Sequence, residues 1–330
     1  MLTNTKKIWC ISLIFLGLCL SSFQTLAVKN WTITSFKYLE ARDYVNVEIR
    51  ESQELKIEVV GSDLFKEYLK VDQSGDRLIL STTKKKLRRN ESYGKSLVII
   101  YTPSFKSIKT DGIGNVNIPG PFDFGDNFTI KSNGTGDIQG NVKANNFTAS
   151  ISGTGDCDMA IFCGDLQLKQ NGTGDVDMKL KCSTYDFQFN GTGDHVLKIE
   201  EAVKGSIKNN GTGDVDGVMD VKDLFCKNSG TGNLSLNITS DKFELKQSGT
   251  CDAHLTGKTK KSYITSSMGN VKAKELTSDV SFVKVTGTGD VYVNASIKLN
   301  AILSSYGSLY YLGDPIIEHV CSSKGMIKRL

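Results

Sequence analysis

The chain has 330 residues, 39% hydrophobic and 23% charged, a balance that excludes a disordered chain and a multi-span membrane protein. Its net charge is +4 and its one basic block runs from Lys84 to Arg89, so the charge pattern gives no support for nucleic-acid binding. Glycine is abundant at 32 residues and proline scarce at 4, as in a chain with many tight turns between strands rather than a flexible linker.

Residues 1–27 read as a secretory signal peptide. Lys6 and Lys7 precede an apolar run from Ile8 to Leu20, and Thr25-Leu26-Ala27 places small residues at the −3 and −1 positions of a cleavage site. Lipid attachment at Cys19 is disfavoured, because Leu18 stands where a small residue is wanted. No later stretch reaches the about 18 apolar residues of a membrane-spanning helix, and no separate C-terminal barrel domain is expected. The mature chain is therefore expected to be exported: periplasmic, outer-membrane-associated or secreted.

Residues 28–108 form a β-rich N-terminal region. Val45–Ile49, Leu55–Val59, Leu78–Leu80 and Leu97–Tyr101 read as strands, and Asp63–Leu69 as one or two helical turns. Lys84–Arg89 reads as an exposed loop. The region is expected to close one end of a repetitive second part.

From 109 to 330 the chain repeats. The string Asn/Ser-Gly-Thr-Gly-Asp recurs, its second glycine falling at Gly136, Gly155, Gly174, Gly193, Gly213, Gly232 and Gly289. Degenerate copies centre on Gly114, Cys251, Gly269 and Gly307. The usual spacing is 19 residues. With that glycine as position zero, +2, +4 and +6 are mostly apolar, as in Val176, Met178 and Leu180, while +3 is often polar. Positions −8 and −6 are apolar too, as in Leu166 and Leu168. Both runs have the period of a half-buried strand. A unit of 19 residues cannot bury its own inner face, but stacked units can. At about 3.3 Å per residue it traces a closed path of roughly 60 Å. The expected fold is all-β: a single-stranded parallel β-helix of about ten 19-residue coils, with right-handed winding favoured by the crossover rule. A propeller blade needs about 40 residues.

The motif reads as a corner, its glycines giving either positive φ or close approach of one coil to the next. Its sequons at Asn133, Asn171, Asn190 and Asn210 are incidental to the turn. The +1 column is the one candidate ligand column: Asp137, Asp156, Asp175, Asp194 and Asp214 in five consecutive coils. Stacked about 4.8 Å apart in water, neighbouring carboxylates repel by about 1 kcal/mol, which turn hydrogen bonds, water or a ladder of cations must offset. The motif matches neither the nonapeptide calcium repeat nor a phosphate loop. No cofactor is implied.

Six cysteines lie outside the signal segment and none forms a CxxC pair. Cys163 and Cys182 both occupy +8 in adjacent coils, within disulfide range, and are expected to touch as a disulfide or as paired thiols. Cys157 and Cys226 fall in inward columns as small hydrophobes, and Cys251 replaces a turn glycine. His195, His254 and His319 fall at unrelated positions and show no triad. Tyr306, Tyr310 and Tyr311 are expected to pack as a C-terminal cap.

On the strand pair Val45–Ile49 and Leu55–Val59, the segment Ile100-Tyr-Thr-Pro-Ser-Phe-Lys-Ser-Ile108 leading into Asp111-Gly-Ile-Gly-Asn-Val116, and the Gly-Thr-Gly-Asp corners, the chain resembles the head GIN domain proteins, a family of auto-transporter adhesins. The resemblance covers about residues 30–310. It implies an exported β-helix with adhesion as its role, and carries no catalytic residues. The expected function is a non-enzymatic surface module binding an unknown ligand, glycan or protein, along a solenoid face. The alternatives are a polysaccharide-active β-helix enzyme, or a cation-binding, self-associating scaffold. Ice or mineral binding through the Thr column at −1 is a thinner reading, since one column makes a narrow surface.

Overall fold

The computed structural model describes residues 31–330 apart from 84–86, 89–91 and 322–323. The signal segment, Cys19 and most of the Lys84–Arg89 block lie outside the described residues.

The chain runs through β1 (Tyr38–Asp43), β2 (Val47–Glu51), β3 (Lys56–Val60), α1 (Asp63–Tyr68), β4 (Leu69–Ser74), β5 (Arg77–Thr82), β6 (Leu97–Thr102), β7 (Ser107–Gly112), β8 (Val116–Asp123) and β9 (Asn127–Ser132). Nine long strands follow: β10 (Ile138–Ile151), β11 (Cys157–Gln170), β12 (Val176–Phe189), β13 (His195–Asn209), β14 (Val215–Asn228), β15 (Leu234–Gln247), β16 (Ala253–Ser266), β17 (Val271–Val285) and β18 (Val291–Leu303). The chain closes with β19 (Leu309–Leu312), β20 (Ile316–Cys321) and β21 (Ile327–Arg329). Together they form a parallel β-solenoid of about 12 turns.

Each long strand serves two faces. In β11, Cys157, Met159, Ile161 and Cys163 point inward, then Gly164 and Asp165 both point away from the core, and Leu166, Leu168 and Gln170 point inward again. That doublet shifts the phase of the alternation, so the strand bends round a second corner. The ladder to β10 skips one pair at the same place, between Ala144↔Cys163 and Asn146↔Asp165. One set of half-strands approaches the glycine corner and stacks as an approach sheet. The other set leaves it and stacks as a departure sheet. The apolar columns meet between them, and each fully buried Leu, Ile or Phe contributes about 1.5–3 kcal/mol. The 20-residue spacing between Gly193 and Gly213 is absorbed at the second corner, where Glu201 adopts φ 56° and the register to β14 slips between Ile199 and Ala202.

The N-terminal region is more than a lid. In the approach sheet, β5 pairs with β1, β1 with β7, β7 with β9 and β9 with β10, all parallel. In the departure sheet the order is β6, β2, β8, β10. The first coil in sequence, residues 36–51, therefore lies between coil 77–102 and coil 107–123. Two coils precede the first glycine motif, and with them the stack reaches about 12 turns, in rough agreement with the about ten expected. The closing role falls to β3, antiparallel to β6, and β4, antiparallel to β5. Ser62 caps α1, its Oγ accepting the Phe65 amide at 3.2 Å. Phe65 is fully buried edge-on to Tyr93.

The tyrosines expected as a C-terminal cap divide. Tyr311 packs against the core. Tyr306 is 67% exposed, and Tyr310 lies on the outer surface, stacked on Tyr292 at 4.7 Å. The cause is alternation: Tyr310 and Tyr292 are register partners at outward positions.

Candidate functional site

The glycines of the corner are there for close approach, not positive φ. A Cβ on Gly153 would stand 1.6 Å from the Gly134 carbonyl oxygen, and one on Gly155 2.1 Å from that of Gly136. Neither is among the positive-φ residues. Consecutive corners thus stack backbone on backbone, with Thr154 and Thr173 exposed between the glycines.

Three side-chain columns hold this stack. At +1, Oδ1 of each residue accepts the backbone amide of the +1 residue in the next coil. Asp137 accepts from Asp156 at 3.0 Å, Asp156 from Asp175 at 2.8 Å, Asp175 from Asp194 at 2.8 Å, and Asp194 from Asp214 at 2.9 Å. Asp214 in turn accepts from Asn233 at 2.6 Å. The series begins at Asn46, which accepts from Asn115, and runs to Ser308, whose hydroxyl accepts from Met326. The carboxylates are therefore spaced by donors, and each such hydrogen bond contributes about 0.5–1.5 kcal/mol. Among the described residues no group of three or more His, Cys, Asp or Glu side chains is placed to hold a metal ion.

At −3, the Asn190 amide donates to Asn171 Oδ1 at 3.0 Å and the Asn210 amide to Asn190 Oδ1 at 2.9 Å. These sequon asparagines are committed to a ladder of their own. At −4, a buried polar column supports the corner from within. Gln170 donates to the Gly172 and Gly174 carbonyls, Asn209 to Gly213, Asn228 to Gly232, and Gln247 to the Cys251 carbonyl. Sequence reasoning missed this column. The signal was present, since −8, −6 and −4 share one face and Gln170, Asn209, Asn228 and Gln247 all precede position zero by four.

Cys163 and Cys182 are register partners, both buried and both free thiols. The shared hydrogen bond to Cys182, then burial, pushes the Cys163 thiol up; the same bond, received from Cys163, pulls Cys182 down. Burial pushes Cys157 up to about 12 and pushes Cys226 up as well. Cys251 turns its sulfur inward, within 3.2 Å of the Asn228 and Gln247 amides.

The three histidines do not converge. His195 sits in the inward +2 column, 1% exposed, stacked on Phe189 at 3.7 Å, with no partner at Nδ1 among the described residues. Burial pulls it down to about 4, against the smaller opposing effects of Asp194 and Asp175. His254 lies on the departure sheet. There β17 slips register against both neighbours, and a groove of about 630 Å³ opens beside His254, Lys272, Glu275, Asp290 and Tyr292. Lys272 Nζ lies 2.6 Å from Asp252 Oδ2 and 3.5 Å from His254 Nε2. Burial raises the Asp252 carboxyl, but the Lys272 bond and the Asn270 amide outweigh it and hold it low. His319 lies in β20.

Among the described residues no helix is long and apolar enough to cross a membrane. No curated protein matches the chain. Solved structures are among the chain's matches. A protein of Bacteroides fragilis titled "putative adhesin" is 18% identical, covering 93% of this chain and 98% of its own, with a TM-score of 0.37. One from Parabacteroides merdae is 15% identical, covering 92% and 95%, with a TM-score of 0.34. A protein of Parabacteroides distasonis, titled a putative lipid binding protein, is 16% identical, covering 92% and 96%, with a TM-score of 0.27. Residues 35–217 and 210–315 match the family described as "putative auto-transporter adhesin, head GIN domain", and the chain belongs to that family.

Proposed function

We propose that this protein is an exported, non-catalytic surface module that binds a ligand outside the cell along an outer face of its solenoid. The observation that carries this reading is the +1 ladder. It ties successive turns from Asn46 to Met326 through backbone amides, and so fixes each corner on the one before it. A stiff scaffold with periodic faces suits an extended partner, and the family description supports adhesion.

The groove beside His254 favours a second reading. Glu275, His254 and Lys272 meet there beside Asp290 of the +1 ladder, a mixed set of acid and base such as the site of a polysaccharide-active enzyme holds. One experiment separates the two. The purified protein is applied to an array of surface glycans and bacterial envelope fractions, and released products are measured by mass spectrometry. Retention without new products is expected. Release of shortened glycans would replace the first reading by the second, and retention on nothing would remove it.

A further inference from the structure

The outer surface of the approach sheet changes character along the solenoid. From β13 to β18 it becomes a lysine-rich face. Lys208 is the register partner of Lys227, and Lys227 of Lys246. After Thr265 the same column continues with Lys284. Four residues earlier along each coil runs a second column, where Lys204 opposes Asp223, Asp223 opposes Lys242, and Lys242 opposes Lys261. Val280 and Lys298 complete it. Between the two columns stand Phe225, Glu244, Tyr263 and Phe282, each on the coil after the last.

These columns hold eight lysines against two carboxylates, a surplus of six, on a chain whose whole net charge is +4. Ammoniums stacked about 4.8 Å apart in water repel by about 1 kcal/mol per pair. Local partners offset part of this. Lys208 pairs with Asp186 at 2.9 Å, Lys246 with Glu244 at 3.3 Å, and Lys298 with Glu318 at 2.9 Å. Lys204, Lys227, Lys261 and Lys284 have no ion-pair partner among the described residues. The +1 carboxylates meet the same repulsion with backbone amides; these four ammoniums have no such counterpart. Their charge is left for something outside the chain.

The central column gives that ligand an apolar ridge. Tyr263 and Phe282 stack at 4.7 Å with an interplanar angle of 2°. Lys242 lies over the Tyr263 ring and Lys246 over Phe225, both at 5.2 Å. Tyr263 is thus contacted by both Phe282 and Lys242, and one face each of Phe282 and Phe225 is taken up. Single-stranded nucleic acid binds on a run of successive open aromatic faces, and the Glu244 carboxylate interrupts this strip. A linear polymer with regularly spaced anionic groups needs only the charge columns and an apolar strip against its ring hydrogens.

We infer that this face binds an acidic polysaccharide, laid along the solenoid axis with its carboxylate or sulfate groups against the two lysine columns. The inference rests on the proposed role as a binding module and names the class of ligand. Polygalacturonate is the probe, neutral dextran of matching length the control, and biolayer interferometry from low to high salt the readout. Polygalacturonate is expected to bind, with log K falling linearly against log salt, and dextran to bind at least tenfold more weakly. The double variant Lys227→Glu/Lys246→Glu is expected to lose at least tenfold and to flatten the salt slope. Lys227→Gln, which cannot create a repulsive contact, is expected to lose less in the same direction. Lys179→Glu/Lys198→Glu, on the departure sheet, serves as the matched control and is expected to bind as wild type.

Unchanged binding by the Lys227/Lys246 variant, with its melting curve intact, would overturn the assignment. So would equal loss in the Lys179/Lys198 control, or tighter binding to single-stranded DNA or phosphatidylglycerol vesicles than to polygalacturonate. Retention on the glycan array without affinity for polygalacturonate would overturn this inference and leave the binding-module reading standing.

Discussion

The ring of Tyr185 fills the space that a side chain at Gly205, its register partner one coil on, would need. A Cβ at Gly205 would stand 2.1 Å from Tyr185 Cζ, and the Tyr185 hydroxyl reaches past it to Met219 Sδ at 3.9 Å. A large residue in one coil is balanced by none in the next. Gly205→Ala is therefore expected to destabilise by about 1–3 kcal/mol through overpacking. Combining it with Tyr185→Leu should restore part of the loss. Thermal melts of the two single variants and the double give the coupling directly; additive losses would contradict the interlock.

The +1 ladder depends on an acceptor oxygen, not on charge, since Asn115, Asn233 and Asn270 serve beside the aspartates. Asp194→Asn is expected to melt within about 0.5 kcal/mol of wild type. Asp194→Ala strands the Asp214 amide and should cost about 1 kcal/mol. A chelator is expected to leave the melting temperature unchanged. A calcium-dependent rise, abolished by Asp→Asn changes, would instead establish a cation ladder.

His195 gives the stack an acid limit. Its folded value, about 4, lies below its ordinary 6.5, so the unfolded chain takes up the proton first. Above about pH 6.5 the residue contributes nothing to pH dependence. As pH falls from 6.5 to 4 the folded state loses about 3 kcal/mol. Urea titrations across that window should show the loss in wild type and its absence in His195→Val. A parallel slope in both would place the acid sensitivity elsewhere.

Cys163 and Cys182 stand opposite one another on adjacent parallel strands. In an oxidising compartment the two thiols are expected to give up two electrons and two protons to an acceptor such as glutathione disulfide and join. Intact mass should fall by two hydrogens, and peptide mapping should link these two residues. Linkage through Cys157 or Cys226 would contradict the assignment, since both are enclosed.

The repeat made the coils legible, because each column samples one environment many times and a single odd residue does not hide it. Inward Val176, Met178 and Leu180 and the corner at Gly174 were readable for that reason. The coil at residues 36–51 was not, because its corner carries Val45 where the recognisable copies almost all carry glycine. Its position between two later coils depends on pairings that leave no period. The fate of the aspartates was hidden too, since it turns on which carboxylate oxygen meets which amide across a coil boundary. Tyr310 was misplaced for a plainer reason: an aromatic near a chain end suggests a plug, whereas strand parity puts it outside.

The interleaving of the first coil bears on the order of events in folding. Residues 36–51 pair on one side with 77–102 and on the other with 107–123. A nascent chain therefore makes a strand pair that finds neither neighbour until dozens of further residues have emerged. The glycine coils beyond residue 134 need only the turn made just before them. The leading end therefore closes only once β8 has emerged, after which the stack can lengthen behind it one turn at a time.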